Sequence, residues 1–406
     1  MSETNTQRGL RASSFKAMSL APSILDKLDR LGFVTPTPIQ LEALPLGLQG
    51  RDIVGIAQTG SGKTLAFGLP IASRLNQGDV ALILAPTREL AIQIEEVLNQ
   101  LDIRTALLIG GAPMGKQVSQ MRSRPSAIVA TPGRLLDHLS GGSVFLGKVT
   151  IVVLDEADRM LDMGFAPQVR KILDRVPRER QTMLFSATMP REIKDLADSY
   201  LRDPVRIEVD RSGAAAADVE QQLLIVNKED KAAMLEDLLN EHRGSVLVFA
   251  RTRHGARKLA RSVQRMGHSA AEIHSDRTLP QRRAALQGFK AGTYRVLVAT
   301  DIAARGIDVK EISLVINFDI PEKAEDYVHR IGRTGRAGAS GLAITLATPE
   351  QSKDVRDIEK LLRTELPLSK HSPLRMERPR HVPQSQPNRP SHGRRRAEGQ
   401  VRFRSR

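Results

Sequence analysis

The stretch AQTGSGKT, residues 57–64, is a glycine-rich turn between an apolar run of strand length and a helical segment. A strict phosphate-loop pattern, G-x-x-x-x-G-K-[ST], requires glycine where this chain has Ala57, so the match is the relaxed form A-x-x-G-x-G-K-T. Gly60 and Gly62 allow backbone N–H groups to point inward around phosphate oxygens, and Lys63 can reach the β and γ phosphates. The alternative is an ordinary glycine-rich turn, but the strand-loop-helix context favours a nucleotide phosphate site.

Short apolar runs of strand length recur on both sides of this turn, separated by helical or turn segments. The runs are β-branched and continuously apolar, as expected of strands buried on both faces. Their alternation with helical stretches, such as residues 89–101 and 231–241, predicts an α/β fold of doubly wound parallel sheets. The predicted strands are residues 52–56, 80–85, 105–110, 126–130, 150–154 and 182–187 in the first half, and 221–226, 245–250, 295–300, 314–318 and 342–347 in the second.

The length of 406 residues suits two domains of this class followed by a tail. A segment with four consecutive alanines has no strand character and is interpreted as the link between them. Polar residues cluster after several strands, where ligands bind in open α/β sheets, so we expect both domains to present one working surface. The predicted limits are 1–14 for a disordered N-terminus, 15–209 for the first domain, 210–218 for the linker, 219–350 for the second domain and 351–406 for a C-terminal extension with a basic disordered tail.

The composition excludes several kinds of chemistry. The chain has no Cys and no Trp, which excludes disulfides, thiolate zinc sites and a cysteine nucleophile. The N-terminal stretch MSETNTQRGLRASSF lacks the apolar core of a secretory signal, and no run of about 18 apolar residues predicts a membrane span. These features are compatible with a reducing cytoplasm, so we expect a cytoplasmic protein with no membrane partner.

Positive charge is concentrated at the C-terminus. The formal net charge is +15, and residues 370–406 carry eleven Lys and Arg against two Glu, or 11 − 2 = +9. The surroundings are rich in Pro, Ser, Gln and His and poor in apolar residues, so this tail is predicted to be disordered. One interpretation is a solubilising tail. The other is a nucleic-acid tether, because Arg clusters neutralise phosphates and release counterions.

The tetrapeptide Asp155-Glu156-Ala157-Asp158 follows the apolar run 151–154. An Asp at the end of such a strand is where a carboxylate for Mg²⁺ belongs, and Thr64 is its expected partner. Glu156 can polarise a water molecule for attack on the γ phosphate. An acidic helix N-cap is the alternative. Together with the phosphate loop, this pair of motifs favours hydrolysis of a nucleoside triphosphate.

A basic, glycine-containing stretch in the second half, residues 329–336, supplies two arginines three residues apart. Arginine forks stabilise the charge of a phosphoryl group in transfer, commonly from another domain. By itself, such a stretch is more often a solvated loop or an RNA contact. We predict that Arg333 and Arg336 complete the catalytic site only when the two domains close.

At this point the motifs resemble those of the DEAD-box RNA helicases of superfamily two, most of all the short bacterial RhlE-like type. The resemblance runs from about Phe15 to about Pro349 and contains nearly every signature block in order. It implies two tandem RecA-like domains that use ATP and Mg²⁺. GFVTPTPIQ resembles the adenine-reading block, which implies that Gln40 bonds the adenine edge and Phe15 stacks on the ring. AQTGSGKT is the family's own form of the phosphate loop, which accounts for Ala57.

The resemblance also assigns nucleotide and coupling residues. DEAD at 155–158 is the family's namesake, SAT at 186–188 is its coupling motif, and Asp308 lies where the family contacts the ribose. The implied nucleotide-binding residues are Phe15, Gln40, Ala57, Gln58, Thr59, Gly60, Ser61, Gly62, Lys63, Thr64 and Asp308, and the implied coupling residues are Ser186, Thr188 and Asp158.

On the RNA side, PTREL, a glycine pair and TPGR resemble the first-domain contacts. Such sites grip the sugar-phosphate backbone of a single strand, so base preference should be weak. Expected partners are single-stranded and short duplex RNA, with ribonucleoproteins as further candidates and the basic tail adding affinity. The implied RNA-binding residues are Thr87, Arg88, Gly110, Gly111, Thr131, Gly133, Arg134, Arg251, Thr300, Asp301 and Arg305.

Two positions depart from the family pattern. His274-Ser275-Asp276 replaces the usual H-G-D, and Leu279 replaces the Gln of Q-x-x-R while Arg282 is retained. Both lie in one second-domain stretch that the family uses near RNA and the domain interface. We expect activity to persist with weaker coupling to RNA.

The predicted mechanism is closure of two tethered domains by ATP and single-stranded RNA, with local, non-processive opening of duplexes. A processive DNA helicase or translocase shares the nucleotide motifs, but the adenine block, the DEAD tetrad and the SAT form are typical of RNA enzymes. A non-catalytic RNA clamp is the third hypothesis. Against it, Lys63, Glu156, Arg333 and Arg336 are all present.

Overall fold

The structure is a computed structural model that describes residues 14–58, 60–209, 219–304, 312–335 and 341–374. Several predictions fall on residues outside these ranges. They concern the N-terminus 1–13, Thr59, the linker 210–218, Arg305, Asp308, Arg336 and the basic tail beyond residue 374.

The first domain is built on a seven-stranded sheet in which every strand pair is parallel. Its strand order is β3-β4-β2-β5-β6-β1-β7, so the phosphate loop leaves a strand near one edge while the DEAD tetrad leaves a central strand. The strands are β1 Ile53–Ile56, β2 Val80–Leu84, β3 Thr105–Leu108, β4 Ala127–Ala130, β5 Val149–Leu154, β6 Gln181–Ser186 and β7 Val205–Glu208.

Helices cover both faces of this sheet and leave two apolar clusters, one on each side. Central strands such as β1, β4 and β6 are buried at every position, in line with their continuously apolar sequences. A short 3₁₀ turn, Phe15–Ala17, precedes the helices. They are α1 Pro22–Arg30, α2 Pro38–Leu48, α3 Lys63–Arg74, α4 Arg88–Gln100, α5 Met114–Arg122, α6 Pro132–Ser140, α7 Ala157–Asp162, α8 Ala166–Leu173 and α9 Arg191–Tyr200.

The second domain has a six-stranded, entirely parallel sheet with its own two apolar clusters. Its strand order is β10-β11-β9-β12-β13-β8. The strands are β8 Val219–Ile225, β9 Val246–Phe249, β10 Ala270–Ile273, β11 Val296–Ala299, β12 Leu314–Asn317 and β13 Gly341–Ala347; the helices are α10 Lys231–Glu241, α11 Arg253–Arg265, α12 Leu279–Lys290, α13 Asp301–Ala304, α14 Ala324–Ile331 and, after a 3₁₀ turn at Pro349–Gln351, α15 Ser352–Leu362.

The two sheets repeat one topology. Numbered from the first strand of each domain, both follow the order 3-4-2-5-6-1, and β7 is an addition at the edge of the first sheet. Lys231 begins the helix after the first strand of the second domain, as Lys63 does in the first domain. Lys231 is buried and donates to the carbonyl oxygens of Phe318 and Leu346, each at 2.9 Å.

All eleven predicted strands are present, and the structure adds β7 and β10. Both added strands are four residues long and lie at sheet edges. Because edge strands tolerate charge, neither has the continuously apolar sequence on which the strand prediction depends: β7 reads VRIE and β10 reads AAEI. The predicted helices 89–101 and 231–241 correspond to α4 and α10.

Residues beyond the predicted limit at 350 pack onto the second domain. Val355, Ile358 and Leu362 of α15 belong to one of its apolar clusters, together with Leu366. Leu374 donates its N–H to the carbonyl of Ile225 in β8. The second domain therefore extends at least to Leu374. Within the described part of the chain, no helix has both the length and the apolarity to cross a bilayer.

Candidate functional site

The phosphate loop lies between β1 and α3 and depends on glycine at two positions. Gly60 and Gly62 have φ values of 89° and 88°, a region that side chains disfavour. A Cβ at Gly62 would also lie 2.5 Å from Nε2 of Gln40 and 3.0 Å from Oγ1 of Thr37. The adenine-reading block and the phosphate loop are thus packed against each other, and the loop tolerates no side chain at this position.

Gln40 connects these two motifs through its amide. Its Oε1 accepts from the backbone N–H of Thr37 at 2.9 Å, and its Nε2 donates to the carbonyl of Gly62 at 2.9 Å. Phe15 is only 3% exposed and belongs to the first-domain apolar cluster. The structure thus places Gln40 against the phosphate loop and Phe15 in the core of the first domain, while their contacts with adenine stay predictions.

Lys63 and Asp155 are buried at the centre of the site. The Lys63 ammonium donates to the carbonyl of Ala57 at 2.9 Å, within the phosphate loop. Burial raises the pKa of Asp155 to about 6; the Lys63 ammonium opposes this rise and Glu156 adds to it. Because the charge of Lys63 only partly offsets the cost of burying this carboxylate, Asp155 is suited to bind a further cation.

Thr64 and Asp155 offer a hydroxyl and a carboxylate, the oxygen donors that Mg²⁺ prefers. The described residues contain no group of three or more His, Cys, Asp or Glu that could hold a metal ion. That sparse donor set fits Mg²⁺, which usually binds through one or two carboxylates plus phosphate oxygens and water, rather than in an all-protein cage.

Glu156 has the left-handed backbone conformation, with φ 49° and ψ 52°, at the start of α7. Such a conformation costs about 1–3 kcal/mol for a residue with a side chain and is concentrated at functional sites. The side chain makes no capping hydrogen bond to the helix, so the alternative reading of the tetrad as an N-cap is not supported. Instead its carboxylate is buried 3.6 Å from the guanidinium of Arg159.

Asp158 ties the DEAD tetrad to the loop after β6. Its Oδ2 accepts from the backbone N–H of Ala187 at 3.1 Å, and from the N–H and hydroxyl of Thr188 at 2.9 and 3.0 Å. In return, its own backbone N–H donates to the hydroxyl of Ser186 at 3.3 Å. The predicted coupling contacts of Ser186 and Thr188 are therefore present.

Arg333 of the second domain faces the first domain across a small cavity. Gln58 of the phosphate loop and Thr188 of the SAT loop line the same cavity. Arg333 is 3% exposed, and its Nε donates to the carbonyl of His329 at 3.2 Å, which orients the guanidinium. One of the two predicted arginines thus lies beside the nucleotide loop; Arg336 is outside the described residues.

Arg330, three positions before Arg333, has a different role that the sequence did not indicate. It is 1% exposed and forms two bonds to Asp301, at 2.5 and 2.7 Å. Further donation to the side chain of Asn317 and stacking over Phe249 fix it inside the domain. Both carboxylate oxygens of Asp301 are therefore bonded to Arg330, which fixes the position of that carboxylate within the domain.

A second and wider cavity, open to solvent, is lined by most of the RNA residues predicted in the first domain. Arg88 lies against the glycine pair: a Cβ at Gly111 would be 2.4 Å from its Nη1, and Gly111 has a φ of 77°. Burial and the neighbouring Arg282 lower the pKa of Arg88, as expected where several cations lie close together. Such a cluster of cations is suited to bind an anion. The cavity is lined by Thr87, Arg88, Gly110, Thr131, Gly133 and Arg134 from the predicted set, and by Ser275 and Arg282 from the second domain.

A buried polar network supports this cleft from behind. His138 of α6 is 1% exposed and contacts Oε1 of Gln117 at 3.1 Å and the hydroxyl of Ser143 at 2.7 Å. Gln117 in turn donates to the carbonyls of Ile109 and Ala112, on either side of the glycine pair. Sequence reasoning missed both residues, because a lone His or Gln on a helix has no motif; they are positioning residues for the glycine loop.

The second-domain RNA residues are less concentrated. Arg251, Thr300 and Asp301 are not among the residues that line this cavity. The backbone N–H of Arg251 donates to Asp319 at 2.9 Å, and its guanidinium donates to the carbonyl of Ile320 at 3.1 Å. Their contacts with RNA therefore stay predictions, as does that of Arg305.

Among the described residues, two ion pairs and one apolar contact join the domains. Glu89 and Arg282 form an ion pair of 2.6 Å beside the RNA cleft, and Asp162 and Lys323 form another of 2.6 Å near the nucleotide cavity. Leu279 of α12 is 7% exposed and belongs to the apolar cluster of the first domain. The structure is thus a closed arrangement, and one of its contacts uses a residue that departs from the family pattern.

A phosphate loop in one parallel sheet and a facing arginine from another make this a nucleoside triphosphatase whose site is completed by two domains. The comparisons agree with that class. The family description "DEAD/DEAH box helicase" matches residues 37–196, and "Helicase conserved C-terminal domain" matches residues 230–338. This chain belongs to the DEAD/DEAH box helicase family.

Relatives in the family are similar over most of this chain. The DEAD-box ATP-dependent RNA helicase CshA of Bacillus subtilis is 42% identical over 89% of this chain and 75% of its own length. DEAD-box ATP-dependent RNA helicase 30 of Arabidopsis thaliana is 44% identical over 86% of this chain, which spans 61% of that relative. The structure of S. cerevisiae Dbp5 bound to RNA and ADP BeF3 has a TM-score of 0.80 and 31% identity, covering 88% of this chain and 95% of Dbp5.

Proposed function

We propose that this protein is an ATP-dependent RNA helicase that hydrolyses ATP when single-stranded RNA is bound and opens short duplexes locally. The observation that carries the proposal is the divided site. Gln58 and Thr188 of the first domain and Arg333 of the second line one cavity. Hydrolysis therefore depends on the closed arrangement, which any ligand that binds both domains stabilises.

In this proposal the first domain binds the nucleotide and prepares the water. The N–H groups around Gly60 and Gly62 and the ammonium of Lys63 receive the phosphates. Thr64 and Asp155 hold Mg²⁺, which when bound neutralises charge on the phosphoryl oxygens. Glu156 accepts the proton of the attacking water, and its strained backbone, φ 49°, directs the carboxylate from the start of α7.

The second domain then stabilises the transition state. Arg333 is oriented by its bond to the carbonyl of His329 and faces the phosphate loop across the cavity. An arginine supplied in this way offsets the charge that develops on the transferred group. Thr188 lines the same cavity as Arg333 and couples domain closure to the DEAD tetrad, because its N–H and hydroxyl both donate to Asp158. Arg336 and Asp308 belong to this proposal by resemblance.

RNA binds in the cleft that is lined by Arg88, Arg134 and Arg282. These cations and the backbone around Gly110 and Gly111 are suited to phosphates and sugars, so the base sequence has little influence. Since Arg282 belongs to the second domain, a strand in the cleft contacts both domains and favours closure. Duplex opening then accompanies binding, and hydrolysis resets the enzyme, which makes unwinding local and non-processive.

Ribonucleoproteins are further substrates in this proposal, and the basic tail adds affinity for RNA. A cytoplasmic location completes it, in line with a chain that has no cysteine. The RhlE-like subtype stays a prediction, as do the domain limits at residues 15, 209 and 219.

Steady-state ATP hydrolysis at one fixed salt concentration tests the function. It should be measured without nucleic acid, with single-stranded RNA and with single-stranded DNA of matched sequence. We expect strong stimulation by RNA alone. Equal stimulation by DNA would favour a translocase, and no hydrolysis under any condition would favour a non-catalytic clamp.

A further inference from the structure

Helix α11 has a cationic face that the site described above does not use. Its thirteen residues, RHGARKLARSVQR, include four Arg, one Lys and one His, and no acidic residue. Ala256, Leu259, Ala260 and Val263 are buried against the sheet. On the opposite side, the spacing i, i+4, i+7 and i+11 places His254, Lys258, Arg261 and Arg265 on one exposed face.

The charges on this face are divided into two groups. At the start of the helix, Arg253 and Arg257 lie 2.7 and 3.6 Å from Asp276, and Arg257 is also 3.9 Å from Glu272. Farther along, no carboxylate of the described residues lies within ion-pair distance of Lys258, Arg261 or Arg265. The second group therefore presents three uncompensated positive charges to solvent.

The first turn of α11 lies close to the RNA cleft. Ser275 lines the cleft, and the next residue, Asp276, pairs with Arg253 at the first position of α11. From there the helix leads away from the cleft, and the distance from His254 to Arg265 is about 16 Å at 1.5 Å per residue. A groove between α11 and α12 runs beside it, with Arg261, Gln264, Arg277 and Gln281 among its lining residues. The acid in that groove, Glu272, is already paired with Arg277.

We propose that the exposed basic face of α11, namely Lys258, Arg261 and Arg265, binds the phosphate backbone of the RNA segment that continues beyond the cleft. The proposal rests on the proposed RNA function and extends it to a second binding surface. Its chemistry is recognition of a polyanion: uncompensated cations on a rigid helix neutralise phosphates and release counterions, with no reading of bases. Because α11 begins beside the cleft, one strand that leaves the cleft can reach this face.

The test compares two variants of the full chain. In one, Lys258→Gln, Arg261→Gln and Arg265→Gln remove three charges from α11. In the matched control, Lys353→Gln, Arg356→Gln and Lys360→Gln remove three exposed charges from α15, where acidic residues alternate with basic ones. Each protein is titrated, over a series of salt concentrations, with a single-stranded RNA that only fills the cleft and with one that has a long extension.

We expect the α11 variant to bind the extended RNA about tenfold more weakly, with the slope of log affinity against log salt reduced by about two. Its affinity for the short RNA, its hydrolysis stimulated by that RNA and its thermal unfolding should match the unsubstituted protein. The α15 control variant should bind both RNAs with the affinity of the unsubstituted protein. Unchanged binding of the extended RNA by the α11 variant would overturn the proposal and leave the face to another partner, such as an acidic protein.

An equal loss for short and extended RNA, or an equal loss in the α15 control, would also overturn it, because either result describes a general effect of net charge. Failure of the function proposed above is recognised separately, since the unsubstituted protein would then show no hydrolysis stimulated by RNA of either length.

Discussion

Arg282 of the second domain lies 2.6 Å from Glu89 of the first, and both side chains are about nine-tenths buried in the closed arrangement. The pair is exposed to solvent whenever the domains separate, so its electrostatic energy contributes to closure and not to the folding of either domain. This makes it a contact through which an RNA strand beside Arg282 is coupled to the position of the second domain.

The Glu89–Arg282 pair should therefore show strong energetic coupling. We expect Glu89→Gln and Arg282→Gln each to lower RNA-stimulated ATP hydrolysis, and a double-mutant cycle to give a coupling energy of about 1.5 kcal/mol or more, as for other buried interdomain charges. The exposed pair Asp162–Lys323, also 2.6 Å apart, is the matched control and should give about 0.5 kcal/mol or less. Equal coupling in the two pairs would contradict this account of closure.

Leu279→Gln restores the usual family residue and removes an apolar interdomain contact. Leu279 is 7% exposed among apolar residues of the first domain, so the amide would be desolvated at closure. The family pattern alone predicts that Gln would strengthen coupling to RNA, but because of this packing we expect RNA-stimulated hydrolysis to fall about 5- to 30-fold, a cost of about 1–2 kcal/mol, with unchanged thermal unfolding. Leu279→Met keeps the apolar volume and should behave normally. Unchanged stimulation in the Gln variant would show that this departure from the family pattern is neutral.

Gly111→Ala should weaken RNA binding about tenfold. Its Cβ would lie 2.4 Å from Arg88, and the residue has a φ of 77°, so both the arginine and the loop must move. The matched control is Gly115→Ala, where a Cβ meets nothing within 4 Å and lies in α5. Alanine there should leave RNA affinity unchanged and slightly raise stability. The prediction is wrong if fluorescence titration with labelled RNA gives the same affinity for both variants.

Asp155→Asn should abolish hydrolysis while stabilising the nucleotide-free protein. Burial raises the pKa of Asp155 from 3.8 to about 6, so the folded state binds more protons than the unfolded state between those values. Stability from this group is therefore lost as pH rises through that window. A shift of about two units corresponds to about 3 kcal/mol, an upper limit because Lys63 loses a neighbouring charge.

Urea unfolding of both proteins from pH 3.5 to pH 8 measures this effect. The gain in the Asn variant should be full above about pH 6 and disappear below about pH 4, as set by the two pKa values. A gain of constant size across the whole range would contradict the assignment to ionisation of Asp155.

Truncation after Leu374 should reduce RNA affinity and its salt dependence but spare basal ATP hydrolysis, because it removes ten Arg against two Glu. A cut before Lys370 is a poorer test. It would also remove the bond between Ile225 and the hydroxyl of Ser372, and the packing of Leu374 on the second domain. Comparing the two truncations by RNA titration and thermal unfolding distinguishes a loss of RNA binding by the tail from a loss of stability in the second domain. Unchanged RNA affinity after truncation at Leu374 would exclude the tether.

Much of the fold could be predicted because buried parallel strands leave a continuous apolar signature, as in β5 with its run IVVL. The site residues next to strand ends could be placed for the same reason. Edge strands β7 and β10 could not, because an edge tolerates charge. The Gln117–His138 contact and the Glu89–Arg282 pair were also missed, since each joins residues far apart in sequence through geometry that no local pattern records.

The repeated strand order has a consequence for stoichiometry. The second sheet has the same first strand and following helix as the first, yet its connecting loop, VNKED at residues 226–230, contains no glycine. Lys231, at the topological position of Lys63, is turned into its own domain and held by two carbonyls. Among the described residues, the second sheet therefore offers no counterpart of the phosphate loop, and we expect one closed molecule to bind a single ATP.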